Sequence, residues 1–165
     1  MKKQSYLFVA MFVLMVAGLL VAAGTDFTGT WVLDESKQEA ADGGPRMVAG
    51  KIIITQGDNS FSTERNMSNE MMGDFTISTN TTLDGKESTS EEQFGTRKST
   101  AAWSDDKKTL TVNSILNMNF NGEDMEMKST EVWTLEDENT VLKLKTTSDT
   151  PMGLMESVNY YKKSE

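Results

Sequence analysis

The chain has 165 residues, with 16 basic and 25 acidic side chains, a formal charge of −9, no cysteine and no histidine. That length supports one domain with its own core, and the acidic balance disfavours nucleic acid and anionic headgroups as partners. Without histidine the commonest general base and the commonest transition-metal ligand are both missing, so neither a catalytic centre nor a cofactor is expected.

Met1-Lys2-Lys3-Gln4 opens the chain, and an almost uncharged run follows from Tyr6 to Ala23, closing on Val21, Ala22 and Ala23. A basic start, an apolar middle and small terminal residues predict a signal-peptide helix over residues 1–23, cleaved after Ala23 or Gly24, with the folded domain over 24–165. The alternative is an uncleaved anchor, since about 18 apolar residues just span a bilayer. Lipoprotein anchoring is excluded, because there is no cysteine to acylate. Cleavage leaves 14 basic against 25 acidic residues, a formal charge of −11, and an exported chain in the periplasm or outside the cell with no membrane span. An exported chain without cysteine is held by its core rather than by disulfides, which points to a bacterial envelope.

From Gly24 onward apolar residues alternate, and Thr, Ser, Val, Ile and aromatics dominate, the pattern of strands. Phe27-Thr-Gly-Thr-Trp31-Val-Leu33 is the first strand, with Phe27, Gly29, Trp31 and Leu33 on one face. The polar stretch Asp34 to Met47 reads as a loop, with a marginal helix at Ser36 to Ala41 that lacks an apolar stripe. Lys51 to Gln56 and Ser60 to Met67 flank Gly57-Asp58-Asn59 as a hairpin. Asp74 to Leu83 alternates and ends at Asp84-Gly85, a type I′ turn signal. Glu87 to Phe94 and Arg97 to Trp103 are polar strands, and Asp105 to Lys108 turns the chain into Leu110 to Phe120, the longest alternating run. Asn121-Gly122 turns it back into Met125 to Leu135, and Val141 to Thr147 and Met155 to Lys162 complete the series. The expected fold is therefore all-β, a single antiparallel up-and-down barrel of eight to ten strands.

Phe27-Thr28-Gly29-Thr30-Trp31 carries a G-x-W pattern that resembles the opening strand of the lipocalin and fatty-acid-binding superfamily. With Asp34-Glu35-Ser36-Lys37, Leu83-Asp84-Gly85 and the Trp-turn-Leu hairpins, the chain is similar to small exported bacterial lipocalin-like proteins of undefined function. The resemblance implies a barrel with a fillable interior. The chain lacks the two-helix lid of fatty-acid-binding proteins and the disulfides of animal lipocalins, so their fatty-acid site is not carried over.

Candidate binding residues follow from the faces of these strands. Arg65 shares a face with Phe61 and Met67, and Arg97 shares one with Trp103; turned inward, either could grip a ligand carboxylate bidentately, and at a wet strand edge each would pair with Glu64, Glu91 or Glu92. Trp31, Trp133, Phe120, Met118 and Met127 are the aromatic and thioether side chains placed to line a pocket, with core packing as their other use. The leading expectation is a non-catalytic carrier of a small hydrophobic or amphipathic ligand, which calls for an interior cavity of about 300 Å³ or more. The alternatives are an envelope interaction scaffold using a strand edge or the segments Asp34 to Met47 and Ser148 to Gly153, and a methionine-based Cu(I) or Ag(I) binder.

Overall fold

The computed structural model describes residues 24–38, 48–69, 73–92, 95–120, 122–150 and 153–164, with the side chains of Asn69 and Phe120 outside that description. Residues 1–23, where the sequence predicts a signal peptide, and most of the Asp34 to Met47 stretch lie outside it too. Among the described residues the chain forms β1 (Gly29–Leu33), β2 (Ala49–Gly57), β3 (Ser60–Asn69), β4 (Gly73–Thr82), β5 (Ser88–Glu92), β6 (Gly95–Trp103), β7 (Leu110–Phe120), β8 (Glu123–Glu136), β9 (Val141–Thr150) and β10 (Gly153–Lys163). The only helical element described is one 3-10 turn, Glu35–Lys37, capped by the Asp34 carboxylate accepting from Ser36 N–H. No helix among them is long and apolar enough to cross a membrane.

Every paired strand is antiparallel, and the order is β4-β3-β2-β1-β10-β9-β8-β7-β6-β5, a meander whose first and last strands also pair. Leu33 stands opposite Tyr161 across that joint, and Thr30 opposite Ile53 on the other side of β1. The result is a nearly closed up-and-down barrel of ten strands. The seam lies between β4 and β5. Asp84-Gly85 does turn the chain there, with Gly85 at φ +77°, but no ladder joins the two strands as the hairpin signal had suggested. Thr82 N–H donates instead to Ser88 Oγ at 2.8 Å, and the two hydroxyls lie 3.2 Å apart, so side chains bridge what backbone does not. The last two strands run longer than their apolar pattern suggested: Ser148 and Gly153, assigned to a connecting loop from sequence, lie within β9 and β10 and pair with Met155 and Thr150.

Alternation divides each strand between inside and outside, and the inside is not uniform along the barrel axis. At the end of the acidic turns Phe27, Trp31, Ile52, Ile54, Leu110, Trp133, Leu142 and Tyr161 are fully buried in one core. Residues before β1 seal this end: Thr25 N–H donates to Lys107 O at 2.9 Å, and the Gln56 amide links Thr25 O and Phe27 N–H. The Trp31 indole donates to Phe27 O at 2.9 Å, so this fully buried ring has its one polar atom satisfied. Trp103 stacks on Phe27, which meets Phe61 edge-on, and Phe61 meets Trp133 edge-on at 5.2 Å. This column of rings rises from the sealed end to the barrel's middle.

Gly95 opens β6 at φ +152°, and a Cβ there would fall 2.0 Å from the Asn117 carbonyl oxygen of β7. Gly50, on β2 at a register shift beside Lys51, has nothing within 4 Å of that position. Gly95→Ala is therefore expected to destabilise the barrel by about 2–4 kcal/mol through backbone strain and clash. Gly50→Ala should stay within about 0.5 kcal/mol of the parent, both read from urea unfolding.

Candidate functional site

Above the aromatic column the interior changes chemistry. Successive strands place Ser88, Ser99, Ser114, Ser129 and Ser148 directly opposite one another across β5 to β9, a row of hydroxyls around half of the barrel wall. The adjoining row is Val112, Glu131, Thr146 and Ser157, and Thr79 and Thr81 face them from β4. Apart from Ser88 and Ser157, these side chains, with Ile77, Leu116 and Met127, surround a cavity of about 160 Å³. A larger hollow of about 450 Å³ lies against the outer face, where Lys98, Thr100, Asn113, Ile115 and Lys128 project from the sheet.

Two ion pairs stand in the cavity wall. Arg65 on β3 donates from Nη1 and Nη2 to Oε1 and Oε2 of Glu131 on β8, at 2.6 and 2.7 Å, reaching across the interior between strands far apart in the sheet. Its guanidinium also lies 5.2 Å from the Trp133 ring, placing it on top of the aromatic column. Arg97 on β6 donates from Nε and Nη2 to the Glu92 carboxylate at the end of β5, and from Nη1 to Ser114 Oγ at 3.0 Å. Ser114 Oγ in turn is 2.9 Å from Ser129 Oγ. All four charged side chains are less than one-fifth exposed.

The electrostatics follow from that burial. Desolvation opposes ionisation of the Glu131 carboxyl, but attraction to Arg65 and the two hydrogen bonds from it outweigh desolvation and hold the carboxyl below the ordinary glutamate range. Burial likewise works against the Arg65 charge, and Glu131 more than compensates, raising its already high pKa. In the core near the pair, burial pushes the Tyr161 phenol up to about 12, so it is neutral there. Each positive charge here is matched by one carboxylate. Among the described residues, Arg65 Nε and Asn159 Oδ1 are buried polar atoms around this zone without a hydrogen-bond partner.

Of the side chains singled out from sequence, Arg65, Arg97 and Met127 meet on the cavity wall. Trp133 lies beneath Arg65 as its aromatic support, while Trp31 is in the core of the sealed end and away from the cavity. Met118 faces inward beyond the cavity, one row nearer the open end than Met127. The Phe120 side chain lies outside the described residues. Both arginines turn inward, and protein carboxylates already occupy their bidentate faces; Arg97 takes Glu92, while Arg65 takes Glu131 rather than its neighbour Glu64. Sequence reasoning passed over the serine row and Glu131. One serine on the inward face of each of five successive strands was the available signal, whereas Glu131 looks like any other acid until β3 and β8 face each other.

The fold and this site define a class: a nearly closed antiparallel barrel with a solid aromatic end and a small, polar, charge-balanced cavity. No protein family matches the chain, and no curated protein or solved structure does.

Removing one partner of a buried pair strands the other charge. Glu131→Gln should cost about 3–5 kcal/mol, while the double replacement Arg65→Met with Glu131→Leu should recover most of that loss, both measured by urea unfolding. Because the folded pKa of Glu131 is depressed, its contribution is complete above the ordinary value of 4.5 and is lost as pH falls through the lower native pKa. Glu131→Gln should therefore unfold with a shallower pH dependence below about 4.5 than the parent.

Proposed function

We propose that the protein is an exported lipocalin-like carrier, without catalytic activity, that holds a small amphipathic molecule inside the barrel. The observation that supports this most is the wall itself: a serine row and two matched ion pairs around a cavity, where apolar packing would have been the more stable filling. The size of the cavity narrows the ligand. At about 160 Å³ it does not reach the roughly 300 Å³ that the carrier expectation called for, so a drug-sized ligand is excluded, and what remains is a molecule close to the roughly 150 Å³ that admits one benzene ring. A long acyl chain does not fit within it; a ring-sized or short branched group does.

The chemistry of the wall narrows the ligand further. With Arg65 satisfied by Glu131 and Arg97 by Glu92, a bound carboxylate would have to displace a protein carboxylate that then stays buried and unpaired. An uncharged donor-acceptor group incurs no such cost, and Ser99, Ser129, Ser148 and the unpartnered Arg65 Nε offer it partners. The apolar part of the molecule would lie along Ile77, Leu116 and Met127.

Native mass spectrometry of the protein purified gently from its host tests the reading. We expect a defined adduct of small mass that is lost on denaturation. In Ser129→Leu, which fills the cavity and deletes a hydroxyl, affinity for that molecule should fall at least about tenfold. A bare protein mass, together with tryptophan emission that the host's small-molecule extract leaves unchanged in parent and variant alike, would reject the carrier.

A further inference from the structure

Beyond the serine row, the barrel's other end carries sulfur. Met118 on β7 stands directly opposite Met125 on β8, and Met127 follows two residues along the same inward face, paired with Leu116. All three are half-buried. Directly opposed residues have Cβ atoms about 4.5–5.5 Å apart, and a diagonal neighbour lies about 7–8 Å away. The methionine side chain is unbranched with three rotatable bonds, so three thioethers can meet between the strands. Gly95 of β6 abuts the backbone at Asn117 and Met118 and brings no side chain to cover them.

Alternation also sorts the donors by hardness. Asp124 and Glu126, interleaved with Met125 and Met127, face outward, where the Asp124 carboxylate accepts from Asn119 and Glu126 pairs with Lys128 at 3.0 Å. The inward face offers neutral thioethers; the carboxylates that share it are Glu123, exposed two residues before Met125, and Glu92, opposite Gly95 and already paired with Arg97. Among the described residues no group of three or more His, Cys, Asp or Glu could hold a metal, and the whole chain contains no Cys or His, so thioether is its one soft ligand type. Soft, uncharged sulfur donors favour a soft monovalent ion and discriminate against Mg²⁺, Ca²⁺ and Zn²⁺, which prefer oxygen, imidazole or thiolate.

We infer that Met118, Met125 and Met127 form a three-thioether site for Cu(I) or Ag(I) at the open end of the barrel. The site needs no organic ligand, so it stands or falls independently of the carrier reading. Ag(I) is the cleaner probe, because it binds the same donors as Cu(I) and undergoes no redox change under the conditions of the test.

The test is a titration of the purified protein, methyl-labelled at methionine, with silver nitrate in chloride-free buffer, followed by methyl NMR and native mass spectrometry. The expected result is one Ag(I) per chain, with the methyl signals of Met118, Met125 and Met127 moving together to a 1:1 end point while those of Met67 and Met155 stay in place. Met125→Leu should weaken Ag(I) at least about tenfold, the loss that even an outer-shell partner can cost. Met155→Leu, on another strand, should leave it unchanged. Shifts spread over all the methionines without a 1:1 end point would overturn the inference, as would retention of one Ag(I) by the triple Met→Leu variant at these positions. If the triple variant fails to fold, the parent titration decides by itself.

Discussion

Arg65 is held in the barrel by two partners of different kinds, and much of the interior is arranged around them. Glu131 meets its guanidinium from the far wall with two parallel hydrogen bonds, and the Trp133 ring lies beneath it. Either partner missing would leave a desolvated cation above a hydrophobic core, at a cost no surface rearrangement would offset. The pair also ties β3 to β8, strands that share no backbone ladder, and so fixes the cross-section of the barrel where the cavity begins. Below it, Trp133, Phe61, Phe27 and Trp103 touch in sequence down to the sealed end. Position of the charge and packing of the rings are thus one problem with one solution.

That arrangement explains why the cavity is small and polar. A barrel of this strand number has room for side chains or for one modest ligand. Here the aromatic column fills one half, and the other half is lined by short hydroxyl side chains that leave space without leaving a dry void. Polar walls of this kind are stable only when their groups find partners. Arg97 meets Glu92 and Ser114, and Ser114 continues to Ser129, so a chain of hydrogen bonds runs along the wall from one ion pair towards the other.

The all-β class, the meander and most strand bounds were legible from alternation and turn residues. β3 and β7 begin where the pattern places them, because Phe61, Leu110 and Val112 mark inward faces unambiguously. The ends of β9 and β10 were not, since Thr146 to Thr150 is polar on both faces and apolar alternation fades there even though the ladder continues. The seam escaped notice for a different reason: Leu83-Asp84-Gly85 is good turn chemistry, and whether two strands pair after a turn depends on the curvature of the whole barrel. Inward arginines could be read from Phe61, Met67 and Trp103 on their faces. Glu92 was among the acids weighed as a partner and is the one Arg97 takes, whereas the partner of Arg65 could not be read, because Glu131 is 66 residues away and nothing local marks it among the other acids. The serine row was hidden because reading for hydrophobic faces treats serine as silence.

The seam between β4 and β5 falls opposite the joint where β1 and β10 bring the two described ends of the chain together, with Ser164 N–H donating to Thr30 O at 2.8 Å. Connectivity in sequence and adjacency in space therefore disagree at two places only: one neighbouring pair, β1 and β10, spans nearly the whole domain, and one consecutive pair, β4 and β5, is not joined by a ladder. A circularly permuted chain, linked across the described ends and opened at Asp84-Gly85, would remove both mismatches and read β5 to β10 and then β1 to β4 in a single run of hairpins. Every ladder would then join consecutive strands. Since long-range pairing slows folding, the natural order leaves the closing of the barrel as the step with the greatest loop entropy, and the permutant would relocate that step to a short linker.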